Sequence, residues 1–290
     1  MISPKKNPFT IAKENKRPLI LDGAMGSLLQ QKGFESKNSI WMTYINSELP
    51  ETIISIHKDY IEAGADIITT NTFRTNLSAL GDISLSKKEV RRAVSLVKSA
   101  IGNDKILIAG SNAPAEDCYQ KERKFSYKML QENHLYHIDF LKDSDVDFIL
   151  NETQSHLDEI EIICDHCSRN SIPFIVSLYI RDDMKILSGE KVEDVIKFIW
   201  EHNPLAVGIN CVSPVTFSKA MKLLSPDFNF GFYLNCLKGS PENSTLVCDI
   251  SPVEYSKMIK EYLQFNPSFI GACCGSSPEH IRKIKEAIDG

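Results

Sequence analysis

The chain has 290 residues, 42% of them hydrophobic and 24% charged, and a formal net charge of -5, a balance that fits a globular protein with a sizeable core. It contains no 18-residue apolar run and no basic stripe, which argues against membrane and nucleic-acid partners alike. The opening MISPKKNPFTIAKENKRPLI carries lysines but no apolar stretch of a secretory signal, so the eight cysteines are expected to be free thiols in the reducing cytoplasm.

Residues 1–17 read as a flexible, solvated tail, followed by one domain over 18–290. Short runs rich in Ile, Val, Leu and Phe then recur, each followed by a helix-like stretch. In chain order they are PLILD (18–22), DIITTN (66–71), KILIAG (105–110), DFILNE (147–152), IPFIVSLY (172–179), LAVGIN (205–210), NFGFYLN (229–235) and SFIGAC (268–273). Between the first two, PETIISIHKDYIEAGA places Pro50 in a first helical turn and aligns Ile53, Ile56, Tyr60 and Ile61 on one face. Near the end, SPVEYSKMIKEYLQ and SPEHIRKIKEAI repeat the design, with Ser251 and Ser277 as caps before proline. A strand-then-helix unit repeated eight times, about 36 residues from start to start, predicts an α/β fold, a single-domain (β/α)8 TIM barrel. The rival is an open doubly wound sheet, which is weakened because no Gly-rich dinucleotide fingerprint follows the first strand.

In such a barrel the C-terminal strand ends share one mouth, where sites are built. Asp22 ends the first strand, Thr70 and Asn71 the second, Asn151 and Glu152 the fourth, and Asn210 and Cys211 the sixth. Asn235 ends the seventh, Cys273 and Cys274 the eighth.

Strands six and eight are separated by one strand, so their ends lie roughly 10 Å apart and their side chains converge. Cys211, Cys273 and Cys274 are thereby able to supply three thiolates to one Zn2+, with the fourth tetrahedral position open as in catalytic sites. Adjacent strand residues point to opposite faces, so the vicinal pair requires a turn, which Gly271 and Gly275 allow. A thiol substrate at such an ion binds as thiolate. The competing reading makes all three small buried hydrophobes, and their coincidence at one mouth favours ligation.

The remaining cysteines lack a partner pattern. Cys164 and Cys167 in CDHC have no second ligand pair at knuckle spacing and fall in an amphipathic stretch, so they are expected to be core-facing or idle; Cys118, Cys236 and Cys248 take the same reading. The seven histidines form neither a Ser/His/Asp set nor HExxH, which gives hydrolase chemistry little support.

Taken together, LILDGAMGSLLQ (19–30), ADIITTNTF (65–73), NET (151–153), GINC (208–211) and GACCGSSPEHI (271–281) resemble the homocysteine S-methyltransferase family. That family includes the homocysteine domain of cobalamin-dependent methionine synthase, betaine-homocysteine methyltransferase and the S-methylmethionine-dependent enzymes. The resemblance implies that Cys211, Cys273 and Cys274 are the zinc thiolates that activate homocysteine for methylation to methionine. It implies that Asp22 and Glu152 hold the substrate's amino acid end, with Gly23 and Thr70 beside it. Otherwise Asp22 is a helix cap and Glu152 a solvated loop charge.

For the methyl donor the resemblance implies S-methylmethionine or a related sulfonium, with betaine, or a methylcorrinoid brought by a separate corrinoid protein partner, as alternatives. Trp41 matches a tryptophan of the onium-using members, where an aromatic face suits a sulfonium or quaternary ammonium; packing in a barrel lid is the equal alternative. Arg74 stands where betaine enzymes carry a cage tyrosine, which disfavours betaine, although an arginine is able to hold a donor's carboxylate. GSNAP (110–114) and FYLNCLKGS (232–240) depart from the family pattern beside the mouth. A reading of another class is a non-catalytic zinc-thiolate protein whose site a fourth protein ligand closes.

Overall fold

The computed structural model describes residues 7–224, 227–236 and 249–290. Its strands are β1 (Leu19–Ile20), β2 (Ile67–Thr69), β3 (Leu107–Asn112), β4 (Phe148–Gln154), β5 (Phe174–Leu178), β6 (Ala206–Asn210), β7 (Phe230–Leu234) and β8 (Phe269–Ala272). All pairings are parallel, in the order β1-β8-β7-β6-β5-β4-β3-β2. The ring is drawn together by a parallel bridge between Leu21 and Ile67, by the Asp22 N–H donating to Ile67 O at 3.0 Å and by the Asp66 N–H donating to Ile20 O at 2.7 Å. This is a (β/α)8 barrel in one domain, and the open doubly wound sheet is excluded.

The two-residue period of the strands divides the core. Leu21, Ile67, Phe148, Ile175, Tyr233 and Phe269 belong to one cluster inside the ring. Their neighbours Ile20, Ile68, Ile149, Val176, Phe232 and Ile270 belong to another, shared with the helices outside. The helix Pro50–Glu62 lays Ile53, Ile56 and Tyr60 on that outer layer, and Ile61 is partly buried there. Ser251 caps Pro252–Tyr262 in a capping box with Glu254, and Ser277 precedes Pro278–Asp289 with its N–H on His280 Nδ1 at 3.2 Å. Cys164 and Cys167 are fully buried on the helix Leu157–Arg169, while His166 meets Asp139 at 2.9 Å. No helix among the described residues is long and apolar enough to cross a membrane.

The tail expected over 1–17 is corrected from residue 7 onward. Pro8–Glu14 is a helix, capped by Asn7, whose side chain accepts from the Phe9 N–H at 3.0 Å and donates to Leu205 O at 2.9 Å. Phe9 is 0% exposed and meets Phe148 and Phe269 edge-on, at centroid distances of 5.5 and 5.6 Å. The helix therefore plugs the barrel's N-terminal end, and this burial outweighs the local polarity that suggests a tail. Cys248 and residues 237–240 of the divergent seventh-strand segment lie outside the described residues.

Candidate metal centre and substrate cavity

Cys211 follows β6, and Cys273 and Cys274 follow β8, with β7 between them as expected. The three sulfurs lie within 4.8 Å of one another. Cys273 Sγ is 3.0 Å and Cys274 Sγ 3.6 Å from Cys211 Sγ. Cys211 takes a left-handed backbone, φ +56°, an uncommon conformation for a residue with a Cβ. Asn235 secures it by donating Nδ2–H to Cys211 O at 2.9 Å and accepting from the thiol at 3.2 Å. On the other side the chain turns after Ala272, with Gly275 at φ +86°, so neighbouring cysteines reach one point. Gly271 does not serve this turn. It sits inside β8, where a Cβ would come within 2.9 Å of the Leu21 side chain and 3.1 Å of Asp22 O, so its role is close approach of β8 to β1.

The sulfurs share hydrogen bonds unequally. Bonds from Cys211 and Cys273 hold the Cys274 thiol well below the usual thiol range, and the same contacts push Cys273 well above it. Three converging soft donors suit Zn2+. Among the described residues no fourth His, Cys, Asp or Glu joins the group, and all three cysteines line one cavity, so the fourth side is open to a ligand.

That cavity has a volume of about 900 Å3. Glu152, Thr70 and Thr153 line it with the cysteines, Glu152 close enough to Cys211 to feel its charge, and Trp41, Phe73 and Arg74 line it as neighbours of one another. Glu152 is aimed by an irregularity in β4: the register shifts between Asn151 and Gln154, and Thr153 adopts φ +59°, the kind of local kink that re-aims a side chain at a site. Asn210 pins the kink, accepting from the Thr153 N–H at 3.0 Å and donating to Thr153 Oγ1 at 2.9 Å. The Ser111 hydroxyl donates to Glu152, yet burial raises this carboxyl to about 7. A buried carboxyl so poised releases its proton readily to accommodate a neighbouring cation.

Asp22 is 4% exposed, and its two oxygens accept from the Thr69 N–H at 2.9 Å and the Thr69 hydroxyl at 2.8 Å. Burial raises it to about 8. It does not cap the following helix, and neither it nor Gly23 lines the cavity; Gly23 packs on Tyr60 and Ser276. Both stand behind the wall and hold β1 against β2 and the cysteine turn. The rest of the GAMGS segment is tied to the same turn, the Ala24 N–H donating to Ser276 Oγ and the Gly275 N–H to Ser27 Oγ, each at 2.9 Å, while Ala24, Met25 and Gly26 themselves line the cavity. Gly26 leaves room for the Trp41 indole, since a Cβ there would fall 2.2 Å from its ring. Trp41 both packs on that segment and presents itself to the cavity beside Phe73, centroids 6.1 Å apart.

Two lining residues close to the sulfurs were not assigned to the site from the sequence. Tyr119 sets its hydroxyl 3.1 Å from Cys211 Sγ and stacks edge-on against Tyr179 at 5.0 Å. Cys118, read above as core-facing or idle, lines the same cavity. Both lie in the segment between β3 and the helix Tyr127–Asp143, which bears no motif; its position after a barrel strand is the available signal. A buried charge network fixes the segment. Glu159 Oε1 accepts from the Ala115 N–H at 2.7 Å and lies 3.0 Å from His134 Nε2, and Arg123 reaches Glu159 and Asp158 at 2.9 and 2.7 Å.

Fold and cluster together define a barrel of the enzyme type whose C-terminal mouth carries three cysteines able to hold a metal. The sequence profile described as homocysteine S-methyltransferase matches residues 19–288, and the chain belongs to that family of methyltransferases. It is 25% identical to homocysteine S-methyltransferase YbgG of Bacillus subtilis (strain 168) and 24% identical to homocysteine S-methyltransferase 1 of Saccharomyces cerevisiae (strain ATCC 204508 / S288c), covering 96% of each of them and 96% of this chain in both comparisons. It is 24% identical to methionine synthase of Mycobacterium leprae (strain TN) over 94% of this chain, and spans 24% of that longer protein. The metallated crystal form of the homocysteine methyltransferase MmuM from Escherichia coli superposes with a TM-score of 0.79 at 23% identity, covering 96% of this chain and 99% of that one, a likeness of fold.

Proposed function

We propose that this protein transfers a methyl group from a sulfonium donor, S-methylmethionine or a close relative, to homocysteine and releases methionine, with Cys211, Cys273 and Cys274 holding Zn2+. The observation that carries the reading is the convergence of three thiols, open on one side, onto a cavity with an aromatic wall. Bound there, the ion supplies the Lewis acidity that keeps a substrate thiol deprotonated at neutral pH.

The chain's own groups supply position. Glu152, with its carboxyl at the cavity, meets the substrate ammonium, an interaction that draws its proton off and leaves a charge-assisted hydrogen bond. Asp22 acts from behind, fixing Thr69 and hence the adjacent Thr70 at the wall. Trp41 and Phe73 offer aromatic faces to a cationic donor. Tyr119 and its segment cover the sulfurs and exclude water. With thiolate and methyl carbon held in line, the new S–C bond forms as the donor's S–C bond breaks, and the donor sulfur keeps the bonding pair as a neutral thioether. No general acid or base is required, so orientation supplies much of the rate.

The test is methionine formation by reduced, zinc-loaded protein from homocysteine with S-methylmethionine, dimethylsulfoniopropionate, betaine or S-adenosylmethionine offered separately. Turnover with a sulfonium supports the proposal. Turnover only when a methylcorrinoid protein is added transfers the donor role to that partner, and zinc binding without methylation in either case supports the closed, non-catalytic alternative.

A further inference from the structure

Among the described residues Arg74 is the only Lys or Arg that lines the cavity, in a wall that also bears Glu116, Asp117, Glu152 and the thiol cluster. One end of its guanidinium is fixed: Nη1 donates to Glu116 O at 3.1 Å and to Pro114 O at 3.4 Å, and the group lies 5.2 Å from the Phe73 ring centroid. The other end is free. Nε and Nη2 make no hydrogen bond, and Arg74 forms no ion pair, among the described residues. The nearby carboxylate of Glu116 is committed elsewhere, to the Lys124 N–H at 3.0 Å, to Gln120 Nε2 at 3.2 Å and to Arg123 at 3.5 Å. A partly buried guanidinium with an unused planar edge, held rigid on a cavity wall, is a ready site for a carboxylate.

Resting on the methyl-transfer reading above, we propose that Arg74 binds the carboxylate of the methyl donor and so selects onium amino acids over donors that lack an acid group. The donor is favoured over homocysteine because Arg74 shares its side of the wall with the aromatic pair Trp41 and Phe73, whereas the homocysteine ammonium has Glu152 and its sulfur has the cysteines. Length matters as well. In S-methylmethionine four bonds separate the sulfonium from the carboxylate carbon, about 5 Å when extended, which keeps the two cations apart. In betaine two bonds do so, and the quaternary nitrogen would be driven against the guanidinium.

The experiment measures binding of S-methylmethionine and of its decarboxylated analogue, dimethyl(3-aminopropyl)sulfonium, to zinc-loaded wild-type protein, Arg74→Gln and Arg74→Lys, alongside KM for homocysteine. The wild type is expected to prefer the carboxylated ligand by about 10- to 100-fold. Arg74→Gln should abolish that preference without changing affinity for the decarboxylated analogue or KM for homocysteine, and Arg74→Lys should keep part of it. Equal weakening of both ligands in Arg74→Gln would show that Arg74 only tethers the segment carrying Pro114 and Glu116, and would overturn the proposal. A selective rise in KM for homocysteine would overturn it by giving the carboxylate to the other substrate. Carboxylate-dependent binding without turnover upholds the Arg74 assignment while refuting the methyl-transfer reading, so the two failures separate.

Discussion

Replacing His57 by leucine is expected to weaken the protein's sensitivity to acid. His57 is completely buried on the helix Pro50–Glu62, and neither ring nitrogen has a hydrogen-bond partner. Burial alone lowers it from 6.5 to about 3. His137, bonded to Thr75 and Asn112, is lowered to about 3 first by burial and then by His134. In the unfolded chain both take a proton near pH 6.5, and in the folded one they do not. Their stabilisation is therefore complete above pH 6.5 and is lost as pH falls, at about 1.4 kcal/mol per pH unit for each.

Asp22 and Glu152 act oppositely. Raised by burial from 3.8 to about 8 and from 4.5 to about 7, they keep protons in the folded state that the unfolded chain has released. Between about pH 6 and 5 two protons are set against two, and stability is flat. Below about pH 4 the two carboxyls no longer differ between states. Glu159, held at about 2 against the effect of its burial by His134 and Arg123, then joins the histidine pair, so stability falls by about 2 to 3 kcal/mol per pH unit around pH 3.5. His57→Leu removes one of these protons. Urea midpoints of metal-free, reduced protein between pH 3.5 and 7 should show the wild type nearly level from pH 7 to pH 4.5 and the variant gaining about 2.5 kcal/mol over the same interval. Identical pH profiles would refute the reasoning.

Phe9→Ala should cost about 3 to 5 kcal/mol in urea unfolding, since it empties a fully buried aromatic site at the base of the barrel; a cost under 1 kcal/mol would show the helix to be loosely docked. Tyr119→Phe removes the hydroxyl that favours the Cys211 thiolate, and alkylation of Cys211 by iodoacetamide in metal-free protein should slow several-fold with thermal stability little changed. An unaltered rate would mean that the contact does not favour the thiolate.

The barrel was legible because each strand is a run of β-branched and aromatic residues ended by a polar one, and each helix carries its own periodic face. The cysteine centre followed from topology alone once strands six and eight were known to flank one neighbour. What escaped reading depends on distant partners. Asn7 before Pro8 is the same cap design as Ser251 before Pro252, but only Phe9 and Ala12 of that short helix are buried, too few to set a period among the lysines. Tyr119 belongs to a segment whose conformation is imposed by Glu159 and Arg123, far away in sequence. Asp22 shows the converse: the residue was singled out, but its two oxygens are spent on Thr69, which only the paired strands reveal.

The central claim is that Cys211, Cys273 and Cys274 hold a metal with one position left for the substrate sulfur. Cobalt titration of reduced, metal-free protein, followed by homocysteine, tests it directly through the sulfur-to-cobalt charge-transfer absorption. One equivalent should bind, homocysteine should strengthen the absorption as a fourth sulfur joins, and Cys273→Ala should abolish tight binding. Failure of the wild type to bind one equivalent, or a spectrum indifferent to homocysteine, would contradict the account.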